Sequence, residues 1–173
     1  MSDAPECTVG SLLAIRLREA SNQIASRWLD RIAARVSLTP DVIFPTDDLL
    51  DHVPLLIEGV ASYLESTGTH IDDDVPVVAK ARELGAMRHT QGFDVYQILK
   101  EHQLLGAIIL SYLEEAVDEI DVSCTRRELV SCFRRAEEAI EIVRQATTNH
   151  FLQLSAARVR EREDRLRRFN RMV

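Results

Sequence analysis

The stretch that decides the fold is TRRELVSCFRRAEEAIEIVRQATTNHFLQLSAARVREREDRLRRFNRMV, residues 125–173. Thr125 and Glu128 have the spacing of a capping box, which satisfies backbone donors at the start of a helix. No glycine or proline follows before Val173. A continuous helix of these 49 residues spans about 73 Å, which is more than the diameter of a small domain. We therefore predict that this helix leaves the body of the protein.

The apolar pattern changes along this helix. Its first part carries an ordinary core face, formed by Leu129, Phe133, Ala136, Ile140 and Val143. Its second part carries apolar residues at intervals of seven, and this spacing predicts packing on a partner helix in a left-handed supercoil. We predict a homodimer with a seam of Leu152, Val159, Leu166, Phe169 and Val173. Ser155 and Arg162 weaken that seam, and the alternative is a helix that packs back on its own body.

The rest of the chain also has a helical apolar period. It predicts helices over about 9–36, 46–66, 75–88 and 94–120, with Gly92 and Asp94 forming a turn and cap. Pro54 predicts a restart of the second helix after Asp51. Gly106, in mid-helix, predicts the close approach of another helix. The expected fold is all-α with about six helices, and its expected core includes Leu17, Ile24, Trp28, Val60, Leu99, Leu105, Ile109, Phe133 and Ile140.

Composition supports this fold class. The chain has 173 residues, 46% of them hydrophobic, with only six glycines and five prolines, which favours a single helical core over a sandwich or doubly wound sheet. No apolar stretch reaches the roughly 20 residues of a membrane-spanning helix, and the N-terminus is acidic where a signal peptide is basic. We expect a cytoplasmic protein without a membrane partner. The three cysteines form no CxxC or Cys/His spacing, so we expect neither a disulfide framework nor a metal site.

Charge is unevenly distributed. The net charge is −7, yet the segment from Arg158 to the end carries seven arginines against three acids, a net +4, so residues 1–157 carry −11. The arginines interleave with acids and with an apolar stripe, which is typical of a solvated coiled coil. We expect no nucleic-acid partner, because the acidic body would repel phosphates.

Two stretches carry a family resemblance. These are DDLLDHVPLLIEGVASYLE, residues 47–65, and RELGAMRHTQGFDVYQILKEHQLLGAIILSYLEE, residues 82–115. Over about residues 15–150 the chain resembles the N-terminal domain of the RsbT co-antagonist (RsbR-type) family, a globin-like helical sensor module. The signature consists of the Leu84-Gly85 to His89 turn, Gly92 and the helix YQILKEHQLL. Family members typically have Glu-Tyr where this chain has Glu101-His102.

A second resemblance lies at the end of the chain. LRRFNRMV, residues 166–173, is similar to the segment that leads into the dimerisation and phosphoacceptor region of bacterial sensor histidine kinases. Together the resemblances imply a globin-like sensor domain over 1–150 and a coiled-coil signalling helix over 151–173, which leads to a kinase domain in the same chain. The sequence itself has no phosphoacceptor box, ATP-binding segment, GxSxG or HExxH. We therefore expect no catalytic residues and no enzymatic activity in these residues.

The globin-like resemblance also implies a ligand pocket. The candidate residues are His89, Tyr96, His102 and Leu105. A histidine on an apolar stripe could bind haem iron, although such a histidine is more often a hydrogen-bonded core residue and the resemblance favours a haem-free pocket. We predict a colourless protein without a cofactor. Any ligand is expected between the helix of 53–64 and that of 95–113.

Three functions therefore compete. The first is the haem-free sensory input and dimerisation domain of a two-component histidine kinase. The second is a haem-binding gas sensor, which a visible absorption spectrum would reveal. The third is an RsbR-like stress-signalling scaffold with another output domain, which the sequence after Val173 would reveal.

Overall fold

The computed structural model describes residues 8–36, 46–65 and 76–172. In these residues it has six helices and no strand, so the all-α prediction with a long C-terminal helix is confirmed. The helices are α1 (Thr8–Glu19), α2 (Ser21–Val36), α3 (Thr46–Glu65), α4 (Pro76–Thr90), α5 (Val95–Glu119) and α6 (Arg126–Met172). No helix in the described part of the chain is long and apolar enough to cross a bilayer.

The six helices share one apolar core. The pairing of α4 with α6 is the most extensive, while α3 packs against α1, α2, α4 and α6, and α5 packs against α1, α2 and α6. Trp28 of α2 is fully buried, and its indole N–H donates to the backbone carbonyl of Glu101 at 2.9 Å. A buried indole needs such a partner, and this bond ties α2 to α5.

Two predicted helix boundaries are wrong. The helix expected over 9–36 is two helices, separated by the single non-helical residue Ala20. No glycine or proline marks this break. The two halves have different packing partners, since α1 also contacts α6. The restart expected near Pro54 does not occur, because α3 continues through this proline; the buried Val53 and Ile57 on either side offset the one hydrogen bond that proline removes.

The predicted core is largely confirmed. Six of its members are buried, namely Leu17, Ile24, Trp28, Val60, Leu105 and Ile109. Phe133 and Ile140 are half-buried at the edge of the core. The prediction that Leu99 belongs to the core is wrong. Leu99 is 37% exposed, because it lies one residue past the buried Ile98 and a helix turns by about 100° per residue. Gly106 does face another helix, since a Cβ there would lie 3.0 Å from Cγ2 of Ile140.

Both predicted capping motifs are present. The backbone N–H of Glu128 donates to Oγ1 of Thr125 at 3.2 Å, and the N–H of Thr125 donates to Oε2 of Glu128 at 2.6 Å. At the start of α5, the N–H of Gln97 donates to Oδ1 of Asp94 at 2.8 Å. Gly92 has φ 78°, a left-handed conformation that favours glycine. The α4–α5 corner is therefore fixed by local hydrogen bonds and one glycine.

Helix α6 lies in two environments. We call residues 143–151 the root; Val143, Thr147 and Phe151 in it are buried against the body. We call residues 152–172 the stalk; from residue 156 onward every described residue is exposed. The stalk therefore does not pack back on the body.

Candidate functional site

Four polar side chains are fully buried among the residues that the structure describes. They are Arg88 on α4, Glu101 and His102 on α5, and Thr147 in the root of α6. We call these four residues the polar junction. Buried polar groups destabilise a fold unless they are hydrogen-bonded or paired, so the contacts within the junction decide whether it holds the three helices together.

Arg88 and Glu101 form a two-point ion pair across the α4–α5 corner. The Nε–H of Arg88 donates to Oε2 of Glu101 at 2.9 Å, and the terminal nitrogen lies 2.8 Å from Oε1. A third guanidinium N–H donates to Oε1 of Gln91 at 2.7 Å. Parallel contacts of this kind fix the relative orientation of guanidinium and carboxylate as well as their distance. The pair therefore locks α4 to α5.

Aromatic rings enclose this ion pair. The guanidinium carbon of Arg88 lies 4.5 Å from the centre of the Phe93 ring and 6.0 Å from that of Trp28. Aromatic faces attract cations, and here they also exclude water. The backbone N–H of Phe93 donates to the carbonyl of Arg88 at 3.1 Å. The α4–α5 corner thus places the Phe93 ring over the Arg88 guanidinium.

Burial shifts the pKa of both partners toward their neutral forms. It raises the pKa of the Glu101 carboxyl to about 7, and the adjacent Arg88 guanidinium limits that rise. It lowers the pKa of Arg88, which Glu101 opposes. Because arginine keeps its proton throughout the physiological range, Arg88 remains a buried cation that depends on the Glu101 carboxylate.

His102 connects α5 to the root of α6. Its Nδ1 lies 2.9 Å from the carbonyl oxygen of Ile98, and its Nε2 lies 3.1 Å from Oγ1 of Thr147. Burial lowers the pKa of His102 to about 4, so the ring is neutral at pH 7, with Nδ1–H donating and Nε2 accepting. Oγ1 of Thr147 is also 2.9 Å from the carbonyl of Val143. The single hydroxyl hydrogen of Thr147 therefore serves one of two acceptors at a time.

The helix backbones meet at the same threonine. A Cβ on Gly85 would lie 2.5 Å from the backbone carbonyl oxygen of Thr147, so α4 and α6 touch without intervening side chains. One turn further along each helix, the rings of His89 and Phe151 pack edge to face with centres 5.6 Å apart. Residues from α4 and α5 thus hold the root of α6 over its whole length.

The four predicted pocket residues do not converge on one pocket. His102 and Leu105 are buried on α5, and His89 is half-buried against Phe151. Tyr96 is 64% exposed, with the Lys100 ammonium 5.6 Å from its ring centre. Buried side chains of α3 and α5 belong to the shared core, and a ligand between these two helices stays a prediction.

Both candidate histidines have contacts within the protein. Both ring nitrogens of His102 are within hydrogen-bond distance of protein oxygens, and no space opens between the ring and Thr147. The ring of His89 is held against Phe151. Iron at His102 would therefore have to displace one of the two contacts of that ring.

The sequence pattern did not identify the Arg88–Glu101 pair. The sequence feature that could have revealed the pair is a base and an acid that each lie on the apolar face of a predicted helix. Arg88 is four residues after Leu84, and Glu101 is three residues after Ile98. An acid and a base that each replace an apolar residue on neighbouring helices are expected to pair when buried.

The predicted dimer seam lies on the stalk. Leu152, Val159, Leu166 and Phe169 are exposed in the single chain, Leu166 at 63%. Val173 lies outside the described residues. A separate groove of about 590 Å³ lies between α5 and α6, where its lining includes Leu110, Val117, Leu129, Val130, Phe133 and Arg134.

Comparison with known proteins assigns the family. The chain matches no curated protein and no solved structure. The family model described as the RsbT co-antagonist protein RsbRD N-terminal domain matches residues 22–167. This range contains α2 to α5, the polar junction and most of α6. The chain therefore belongs to the family of RsbT co-antagonist RsbRD N-terminal domains.

Proposed function

We propose that this chain is a haem-free, cytoplasmic sensory input and dimerisation domain that transmits a signal through α6. The observation that carries this proposal is the polar junction, which holds the root of a helix whose residues from 156 to 172 are exposed. A change in how α4 and α5 contact the root would alter the position of the stalk. Because α6 is one continuous helix, a change at the root would move the stalk, and no catalytic step is needed.

Dimerisation is supported by apolar residues on one face of α6. Val130, in the groove between α5 and α6, is 68% exposed and precedes Leu166 by about ten turns at 3.6 residues per turn. Phe133 precedes Phe169 by the same interval, so groove and seam share a helix face. Stable dimers bury at least roughly 1,200 Å², more than a few seam residues supply. We propose that the groove contributes the rest.

Signal transfer through this seam requires only a small motion. Ser155 and Arg162 interrupt the apolar residues of the seam, so no single register is strongly favoured. A paired stalk with two registers of similar energy responds to a modest difference in the contacts of the body. The proposed signal is a rotation or sliding of the two stalks.

The output that we propose is a histidine kinase in the same chain, as the resemblance of LRRFNRMV indicates. The family supports a second candidate, a stress-signalling scaffold with another output domain. The coding sequence that follows Val173 distinguishes them. A phosphoacceptor histidine box would support the kinase, whereas its absence would support the scaffold.

Sedimentation tests the dimer. We expect a dimer at high micromolar concentration, and replacement of Ser155 and Arg162 by leucine should strengthen it. A matched control places leucine at Ala157 and Arg168, which lie on the opposite face of the stalk. A monomer at high concentration, or equal strengthening by both double variants, would show that the seam is not the interface.

Absorption spectroscopy tests the haem-free state. We expect no Soret band in the purified protein, even after incubation with haemin. A band that persists on purification and disappears in His102→Ala would replace this proposal with a gas sensor.

A further inference from the structure

A second groove lies between α4 and residues 142–153 of α6. Its volume is about 500 Å³, and its lining consists of Val78, Arg82, Ile142, Gln145, Ala146, Asn149, His150 and Gln153. Sites for small molecules commonly have volumes of about 300–1,000 Å³. The size therefore suits a small metabolite rather than a macromolecule.

Four polar side chains of this groove have no partner among the described residues, whereas a fifth, Gln145, donates to Glu141 at 2.9 Å. In the described residues, the side chains of Arg82, Asn149, His150 and Gln153 make no hydrogen bond or ion pair. Two other arginines of the body are engaged: Arg18 with two glutamates and Arg88 with Glu101. A guanidinium, an imidazole and amide groups thus point into one space with their donors unused.

The described residues that line the groove include no acid, although the protein is acidic. Residues 142–160 contain no aspartate or glutamate, while the chain as a whole carries −7. The single acid of α4, Glu83, bonds to Lys80 at 2.8 Å and lies 3.3 Å from His52. Among the described residues no carboxylate lines the groove, and Glu141, which precedes the lining residue Ile142, is engaged by Arg144 and Gln145.

We infer that the groove binds a small anionic metabolite, with a carboxylate or phosphate group on Arg82 and a polar body that contacts His150 and the amides. A guanidinium matches the geometry of either anion and can bond to it at two points. Asn149 and Gln153 provide both donors and acceptors, which suits hydroxyl or amide groups on the remainder of the ligand.

The position of the groove gives the ligand a route to the stalk. Arg82 is one helical turn from Gly85, where α4 touches the backbone of Thr147, and Asn149 and His150 lie in the root. A ligand that joins Arg82 to the root would change how α4 holds α6. This consequence rests on the proposed function, whereas the binding itself does not.

Titration by heteronuclear NMR tests the assignment, with inorganic phosphate and succinate as separate probes at constant ionic strength. We expect saturable shifts of the Arg82, Asn149 and His150 signals with at least one probe. Comparison of the two probes identifies which anion the groove prefers. Arg82→Gln should weaken binding at least tenfold, since a charge-assisted hydrogen bond is lost.

Arg127→Gln is the matched control. Arg127 is exposed near the start of α6, away from the groove, and its loss removes the same charge. Affinity should be unchanged in this variant. Shifts that do not saturate with either probe, or equal weakening in both variants, would overturn the inference. If the protein binds a probe saturably but is a monomer at high micromolar concentration, the proposed signalling through the stalk is wrong and the anion site stands. If the protein is a dimer but binds neither probe, the anion site is wrong and the proposed dimer stands.

Discussion

Arginine has opposite roles in the body and in the stalk. Arg88 is buried, touches two aromatic rings and is held by Glu101. The seven arginines from Arg158 to Arg171 are all exposed. Where one of them pairs, as Arg165 does with Glu161, the pair is on the surface and is expected to contribute little stability. The buried arginine joins two helices, whereas the exposed ones surround the apolar residues of the stalk with charge.

The comparison shows how one helix can serve two purposes. In the root, backbone and side-chain contacts fix α6 against α4 and α5. In the stalk, every described residue from 156 onward is exposed. Substitutions should therefore have large effects on stability in the junction and small ones in the stalk, where the effects should fall on association instead.

The largest effect is expected for Glu101→Gln. At pH 8, above the pKa of about 7 of the Glu101 carboxyl, this change leaves the Arg88 cation buried without its counter-ion, and removal of one partner of a buried pair costs about 3–5 kcal/mol. Urea unfolding measures this loss. Glu114→Gln, on the exposed side of the same helix, should change the free energy of unfolding by less than about 0.5 kcal/mol.

The double variant Arg88→Met/Glu101→Leu sharpens the same point. It removes both charges and keeps much of the volume, so it should be more stable than Glu101→Gln alone. A double variant that is less stable than Glu101→Gln would mean that the charge of Arg88 is not the source of the loss.

A smaller loss is expected for Gly85→Ala. The new Cβ would meet the Thr147 carbonyl at 2.5 Å, and a backbone atom cannot rotate away, so overpacking should cost about 1–3 kcal/mol. Gly106→Ala is the control, because its Cβ would meet the side chain of Ile140, which can adjust. Thermal unfolding measures the stability of both variants. Equal losses of stability in the two would contradict the close contact at Gly85.

The third prediction concerns the dependence of stability on pH. The pKa of His102 is about 4 in the folded protein against an ordinary 6.5. Neutral His102 therefore contributes stability that is complete above pH 6.5 and is lost as the pH falls toward 4. Glu101 acts in the opposite sense: with its pKa raised from 4.5 to about 7, its contribution is complete below pH 4.5 and is lost as the pH rises through 7.

His102→Gln separates these opposing contributions, because only that of the histidine disappears. The stability advantage of the native protein over the variant should be about 1.6 kcal/mol larger at pH 6.5 than at pH 5, at 1.36 kcal/mol per pKa unit. Denaturant titrations at the two pH values measure this difference. A difference that stays constant would indicate that His102 is not buried in its neutral form.

The smallest effect on unfolding is expected in the stalk. Leu166→Ala should change the free energy of unfolding of the monomer by less than about 0.5 kcal/mol, since this side chain is exposed. The same change should weaken the proposed dimer. Unfolding at dilute protein and sedimentation at high concentration separate the two effects. A loss of monomer stability as large as that of a core leucine would show that the stalk contacts the body.

Local signals in the sequence predicted a large part of the fold. The capping box at Thr125 and Glu128 and the absence of any later breaker predicted where α6 begins and that it leaves the body. Gly106 predicted a close helix contact. These features depend on residues near one another in the chain, so a single sequence reveals them.

The features that were missed depend on distant residues. Arg88 and Glu101 are buried only because the α4–α5 corner brings them together, and His102 meets Thr147 only after α6 packs against α4 and α5. The break at Ala20 reflects the different neighbours of α1 and α2. An apolar period reports which face of a helix is buried, but not which polar residues that face will carry inside.

The backbone contact between Gly85 and Thr147 is a fulcrum, that is, a fixed point about which the rest of α6 would tilt. The roughly 25 residues from Thr147 to Met172 extend about 37 Å. A tilt of about 5° at the fulcrum would displace the tip by about 3 Å, which is more than half of the rise of one helical turn. Movements too small to disturb the core around Thr147 would therefore be amplified at the far end, and substitutions that lengthen or shorten the stalk should change the displacement in proportion.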